Sequence, residues 1–319
     1  MKIAVVGTGL VGHGWAIAFA RAGHEVALFD AKPGQTEAAL RRIDTILPEL
    51  VSFGLIESDS DLRARITACQ SLKTAVNGSG YVQESGPERV SFKREIFAEL
   101  DRIAAPETIL ATSSSGIPIS AIAEPLGGRA RCLVAHPANP PYLLPIVEIV
   151  PAPWTSEKAI AAADDLLSGV GQVTVRLKKE IDGFVLNRLQ GALLHEAFRL
   201  VEDGIATAED VDRTVCHGLG LRWSFMGPFE TIDLNAPGGI ADYVDRLGPM
   251  YLRFAQERGA ARPWGPELVA RIEADRRESL PASALADRAA WRDRRLMALS
   301  VHKNTPNDDD ADVMKERKR

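Results

Sequence analysis

KIAVVGTGLVGHGWAIAFARAGHEVALFD, residues 2–30, decides the fold. Lys2–Val6 is a short apolar, β-branched run, and Glu25–Phe29 is a second. Between them, Gly7-Thr8-Gly9-Leu10-Val11-Gly12 matches G-x-G-x-x-G and opens an Ala-rich helical segment from about Leu10 to Ala22. Strand, glycine turn, helix and strand form a βαβ unit with a mechanical reason for each glycine. Gly7 allows the tight turn, Gly9 lets a pyrophosphate approach bare backbone, and Gly12, with Gly14, lets the helix pack closely. The phosphates would sit at the helix N-terminus, where unpaired N–H groups and the dipole favour negative charge. Gly7, Gly9, Leu10, Val11 and Gly12 are therefore candidate cofactor contacts. Asp30 follows Gly12 by 18 residues, which suits a carboxylate on the adenosine ribose. It would accept from the 2′-hydroxyl and repel a 2′-phosphate, so NAD is expected in preference to NADP.

The chain's 319 residues suggest about two domains. With 45% hydrophobic and 25% charged residues it has ample material for a core. A net charge of −5 leaves no basic footprint, and a nucleic-acid partner is not expected. No apolar run reaches the roughly 18 residues of a membrane span, and an opening that reads as a strand does not suit a signal peptide. Cys69, Cys132 and Cys216 form no C-x-x-C pair, so reduced thiols in a cytoplasmic protein are expected, with no metal site.

Strand-like runs recur at Tyr81–Gln83, Ile109–Ala111, Cys132–Ala135, Pro145–Val150 and Gln172–Arg176, alternating with helical patterns at Gln35–Phe53, Asp61–Ala68 and Phe92–Ile103. Such alternation predicts an α/β fold, a Rossmann-type doubly wound parallel sheet. From about Gly183 the pattern turns helical: Phe184–Val201, Ala208–Val215, Ile240–Glu257, Pro266–Glu278 and Pro281–Leu299. Residues 1–182 are thus expected to form the NAD-binding domain and 183–303 an all-α domain. The polar end, 304–319, reads as a disordered tail.

A second dense region lies between Ala111 and Val150. Glu148 sits inside an apolar run, where an ionised carboxylate is costly to bury unless it is paired. His136 ends the preceding strand across a Pro-rich turn. On adjacent strands Glu148 would reach one imidazole nitrogen and leave the other facing the cleft. Spacing alone allows either a catalytic pair or a structural one.

The motifs VVGTGLVG, QESGPERVSFKREIF, TSSSG, AHPANPPYLLPIVEIVP, KEIDGFVLNRLQ and GLGLRWSFMGPFET together make the chain resemble the L-3-hydroxyacyl-CoA dehydrogenase superfamily. Within it, the flanks of AHPANPP and the Leu-Arg-aromatic insertion before Gly-Pro-Phe-Glu resemble the subfamily of L-gulonate 3-dehydrogenases and λ-crystallins. The resemblance implies that His136 is the general base, oriented by Glu148, with Ser115 and Asn187 holding the substrate oxygen. It also implies that Glu88 and Lys93 contact the cofactor and that the helical domain mediates a homodimer. The implied reaction oxidises the 3-hydroxyl of a small hydroxy acid, L-gulonate to 3-dehydro-L-gulonate.

A sugar acid needs a cation for its carboxylate, and Arg222, beside Trp223 and Phe225, is the best candidate. A CoA substrate would call for a basic cradle in residues 31–75, where Lys32, Arg41, Arg42, Arg63, Arg65 and Lys73 stand among acids. L-Carnitine dehydrogenases share the Tyr-Leu-Leu-Pro stretch, and Trp223 and Phe225 would suit a quaternary ammonium. An NAD-binding structural protein or a redox-sensing NAD binder would be the non-enzymatic readings. Intact Ser115, His136, Glu148 and Asn187 favour an enzyme.

Overall fold

The computed structural model describes residues 1–257, 259 and 262–305. The chain begins β1 (Lys2–Val6), α1 (Leu10–Arg21), β2 (Glu25–Phe29), α2 (Gln35–Ser52), α3 (Asp59–Ala64), β3 (Ile66–Ala68) and α4 (Leu72–Val76). It continues β4 (Tyr81–Glu84), α5 (Val90–Ile103), β5 (Ile109–Thr112), α6 (Ile119–Ala123), β6 (Cys132–Pro137), β7 (Ile146–Pro151), α7 (Glu157–Gly169) and β8 (Val173–Arg176). These strands make one eight-stranded sheet in the order β3-β2-β1-β4-β5-β6-β7-β8. Ile3 and Val5 pack into a core cluster on one face with Trp15, Phe19, Leu47 and Ile160, while Ala4 and Val6 join Phe97, Leu100 and Ile119 in a second cluster. A sheet covered on both faces needs such continuous apolar strands.

Two details depart from the pattern expected of the sequence. The segment expected to be helical through Ala68 stops at Ala64, and Ile66–Ala68 instead pairs with Val26–Leu28 as an edge strand. The β-branched Ile66 and Thr67 suit that edge better than another helical turn. The sheet is also not wholly parallel, because β7 runs antiparallel to β6. Only residues 138–145 join these strands, too few for the dozen or so that a parallel crossover needs. That short return places Glu148 directly opposite His136 in the register.

The rest of the chain is helical: α8 (Leu186–Glu202), α9 (Ala208–Thr214), α10 (Gly220–Trp223), α11 (Pro228–Leu234), α12 (Gly239–Glu257), α13 (Pro266–Ser279) and α14 (Leu285–Asn304). Contacts divide the chain into two units, residues 1–188 with 289 onward, and residues 189–288. The change of character in the sequence falls at 182, and α14 continues through Asn304, the first residue of the expected tail. Residues 306–319 of that tail lie outside the described residues.

The helical unit, taken by itself, has little interior. Among its described residues only Val201, Thr231, Ala236 and Leu268 are buried, while Leu221, Phe225, Phe229, Leu234 and Leu252 are exposed. In the first unit, α14 is seated by Met297, buried in the same core cluster as Leu47 and Leu50, and by Arg294, 3.3 Å from Glu49 of α2. Met297→Ala is expected to lower the unfolding free energy by about 2–5 kcal/mol, read by urea titration. A loss under about 1 kcal/mol would show that the α14 seat adds nothing to the sheet domain.

Candidate active site

The carboxyl ends of β1, β4, β5 and β6 open on the same edge of the sheet, where α/β folds place ligands. The strand order reverses between β1 and β4, and the Gly7 turn lies at that switch point. Gly7 takes φ +89°, and a Cβ there would come within 2.7 Å of the Gly86 nitrogen, so the turn is pressed against the loop after β4. At Gly12 a Cβ would fall 1.9 Å from the Gly7 carbonyl oxygen. Gly14 instead admits the Pro141 ring of the β6–β7 return, whose Cδ would lie 2.7 Å from an added Cβ. Gly9 is different: a Cβ there would meet nothing within 4 Å. Gly9 caps α1 without a side-chain bond, and no acidic side chain stands in the first helical turn. Bare backbone facing open space at a helix N-terminus is the cradle that a pyrophosphate needs.

Asp30 stands just past β2. Its Oδ2 accepts from the Thr8 N–H at 2.8 Å and the Thr8 hydroxyl at 3.2 Å, and its Oδ1 accepts from the Lys32 N–H at 2.9 Å. Three donors leave room on a carboxylate with about four acceptor sites. The same side chain therefore braces the glycine turn and keeps acceptor capacity in reserve.

His136 and Glu148 meet as the β6–β7 register dictates. The His136 Nδ1 lies 2.8 Å from Glu148 Oε2, with both side chains buried. Glu148 Oε1 accepts the backbone N–H groups of Val185 at 2.7 Å and Leu186 at 2.9 Å, which begin α8. Burial pushes the Glu148 carboxyl up, but the His136 bond and the Leu186 and Val185 amides outweigh it and hold it below its ordinary value. The ionised form is thereby retained, which in turn fixes the imidazole with Nδ1 protonated. His136 Nε2 makes no hydrogen bond among the described residues, so a lone pair is left for a proton. Phe184, with φ +50°, turns the chain into α8 and sets its ring 5.5 Å from the imidazole. A non-glycine residue in that region is strained, and the turn it makes aims two amides at one carboxylate.

Ser115 lies on the loop after β5. Glu88 Oε1 accepts from Ser114 Oγ at 2.6 Å, the Ser115 N–H at 2.9 Å and the Gly116 N–H at 3.1 Å. Asn187, in the first turn of α8, donates from Nδ2 to the Ser115 carbonyl at 2.7 Å. Ser115 is thus held by both backbone groups, and its exposed hydroxyl makes no hydrogen bond among the described residues. The structure brings Ser115, His136, Glu148 and Asn187 into one connected arrangement.

The same architecture is found in known proteins. Residues 2–181 match the NAD-binding domain of 3-hydroxyacyl-CoA dehydrogenase, and residues 183–279 match the C-terminal domain of that enzyme. The chain belongs to the 3-hydroxyacyl-CoA dehydrogenase family. It is 41% identical to the lambda-crystallin homolog of Bos taurus over 307 residues, 95% of either chain. It is 36% identical to L-carnitine dehydrogenase of Streptomyces coelicolor over 294 residues, 92% of either chain. Among solved structures, 5-formyl-3-hydroxy-2-methylpyridine 4-carboxylic acid 5-dehydrogenase, an NAD+-dependent dismutase, superposes with a TM-score of 0.83. That likeness covers 96% of this chain and 99% of the other at 26% identity. As a member of the family, this chain is an NAD-dependent dehydrogenase of hydroxy acids.

Lys93, which the family resemblance marks as a cofactor contact, is 1% exposed. Its Nζ lies 2.8 Å from Glu84 Oε2, 3.2 Å from Thr112 Oγ1 and 3.5 Å from Glu88 Oε2. Burial pushes the Glu88 carboxyl up, but the Ser114 bond, the Lys93 charge and the two amides hold it low. Arg222 is exposed in the helical unit, just after a π-helical turn at Val215–Leu219, a distortion frequent at functional sites. Cys132 is packed in the core, where burial pushes its thiol up to about 12. No metal-binding cluster occurs among the described residues, nor a helix long and apolar enough to cross a membrane. Sequence reasoning missed Phe184, the Val185 and Leu186 amides, and Glu84. The first three had one signal, Gly183 at the change from strand to helix. Glu84 had another, a carboxylate ending an apolar strand.

Two experiments follow from this geometry. Gly9→Ala should fold with an unchanged melting temperature but bind NAD about tenfold or more weakly by fluorescence titration. Gly12→Ala should lose folded protein outright. Glu148 has a lowered carboxyl pKa, so its contribution to stability is present above the ordinary value of 4.5 and is lost as pH falls below it. Urea titrations between about pH 6 and 3 should show a steeper acid loss in the wild type than in Glu148→Gln.

Proposed function

We propose that this family member oxidises the 3-hydroxyl of a small hydroxy acid, with L-gulonate as the substrate and 3-dehydro-L-gulonate as the product. The carrying observation is the buried His136–Glu148 pair, whose Nδ1 is held by the carboxylate and whose Nε2 makes no protein hydrogen bond. His136 Nε2 takes the hydroxyl proton, and Glu148 stabilises the imidazolium that results. Ser115 Oγ and Asn187 hold the oxygen and orient its carbon. NAD, when bound, accepts the hydride. Gly7, Gly9, Leu10, Val11 and Gly12 cradle its pyrophosphate and Asp30 its adenosine ribose, with Glu88 alongside and the buried Lys93 behind Glu88.

Arg222 supplies the cation for the substrate carboxylate. A CoA ester is disfavoured because two of the six cations in residues 31–75 are already committed. Arg63 is bonded to Asp44 at 2.7 Å, and Arg65 to the Ala20 carbonyl at 3.1 Å. L-Carnitine is the second reading, favoured by the exposed Trp223 and Phe225, whose faces suit a quaternary ammonium. The exposed apolar residues of the helical unit support a homodimer through that unit, in a cytoplasmic protein.

His136→Gln should lower kcat by about 10²- to 10⁴-fold while NAD affinity stays within about twofold. Undiminished turnover would overturn the base assignment. Arg222→Met should raise KM about tenfold or more for L-gulonate but not for an uncharged analogue. Equal losses on both would assign Arg222 to the fold.

A further inference from the structure

Glu84 and Lys93 form a buried ion pair that the proposed reaction does not use. Glu84 ends β4, Thr112 ends β5, and the two are direct neighbours in the sheet register. Glu84 is 0% exposed and both of its carboxylate oxygens are hydrogen-bonded. Oε1 accepts the Gly86 N–H at 2.6 Å, and Oε2 accepts the Thr112 hydroxyl at 2.6 Å and the Lys93 ammonium at 2.8 Å. Thr112 Oγ1 in turn accepts the Ser114 N–H at 3.1 Å. Lys93 reaches Glu88, and Glu88 gathers the amides of Ser115 and Gly116. Ser115 is therefore tied to Glu84 by two routes, one through Thr112 and Ser114 and one through Lys93 and Glu88.

We infer that Glu84 is a positioning residue, which sets the Ser115 loop by holding the Lys93 ammonium against Glu88. A buried ammonium cannot turn outward to a phosphate without leaving Glu84 an unpaired buried charge, which is strongly unfavourable. Lys93 accordingly acts inward, as the bridge between two carboxylates. The Gly86 bond adds a second consequence. Gly86 is the backbone against which the Gly7 turn is pressed, so one carboxylate braces both the cofactor turn and the substrate loop.

This inference rests on Ser115 acting in the reaction as proposed above. Its test uses Glu84→Gln and the double variant Glu84→Gln with Lys93→Met, in which neutral isosteres replace the pair and the fold is spared an unpaired charge. Both should lower kcat on the wild-type substrate by about ten- to a hundredfold, with KM and the NAD dissociation constant within about threefold. Hydrogen exchange at the Ser115 and Gly116 amides should speed up in both variants, a readout that needs no substrate. Unchanged kcat and unchanged exchange in a double variant that melts like the wild type would overturn the inference. Weakened NAD binding with unaltered exchange would also overturn it, returning Lys93 to the cofactor. Faster exchange with unchanged kcat would uphold the bracing of the loop and refute only the role of Ser115.

Discussion

The site depends on one carboxylate shared between an imidazole and the start of a helix. Glu148 Oε2 holds His136 and Oε1 holds the first amides of α8. Burying that charge without partners would cost several kcal/mol, and with them the charge becomes the organising element. Because Glu148 anchors α8 at its N-terminus, Asn187 in the first turn falls where its amide reaches the Ser115 carbonyl. All of this requires Glu148 to stand opposite His136, and a slip of one residue between β6 and β7 would turn it to the other face of the sheet. The eight-residue return between those strands, packed through Pro141 against Gly14 of α1, keeps the register.

The same device recurs around the crevice. Asp30 takes the amides of Thr8 and Lys32, Glu84 that of Gly86, Glu88 those of Ser115 and Gly116, and Glu148 those of Val185 and Leu186. Loops past the strand ends have no sheet partner for their N–H groups, yet a reacting centre needs them fixed to a fraction of an ångström. A carboxylate solves both needs, since it accepts several amides and has no donor of its own to satisfy. The result is a rim of loops whose amides are gathered by carboxylates.

Much of this was legible in the residues. The βαβ unit read from residues 2–30 is present with its strand bounds, because glycine spacing and β-branched runs are local signals. The His136–Glu148 contact was legible because a carboxylate inside Pro145–Val150 demands a partner and only a short turn separates it from a histidine. Direction was legible only in loop length: alternation suggests a parallel sheet, and the short return that reverses β7 was the one sign against it. Burial of Lys93 was also hidden, since a lysine in the first turn of an amphipathic helix looks like any surface charge. Its partner Glu84 lies nine residues earlier on a strand, and nothing local links them. Phe184 escaped for a similar reason, as its left-handed backbone is imposed by tertiary contacts and phenylalanine does not favour it.

Chemistry and recognition are separable in this chain. In the reaction proposed above, removing a proton and holding an oxygen fall to the same four side chains whatever the hydroxy acid, and those four lie in residues 1–188. Recognition of the rest of the molecule is a question of charge. A carboxylate calls for a guanidinium and a quaternary ammonium for aromatic faces. Arg222, Trp223 and Phe225 present both within four residues, in the separate helical unit and next to a π-helical turn that unwinds the local backbone. Relatives similar along nine-tenths of the chain carry names as different as lambda-crystallin and L-carnitine dehydrogenase. On the reading proposed above, a change of substrate would need only a change in which of these groups meets the ligand. The His136–Glu148 pair and the braced Ser115 loop need not move.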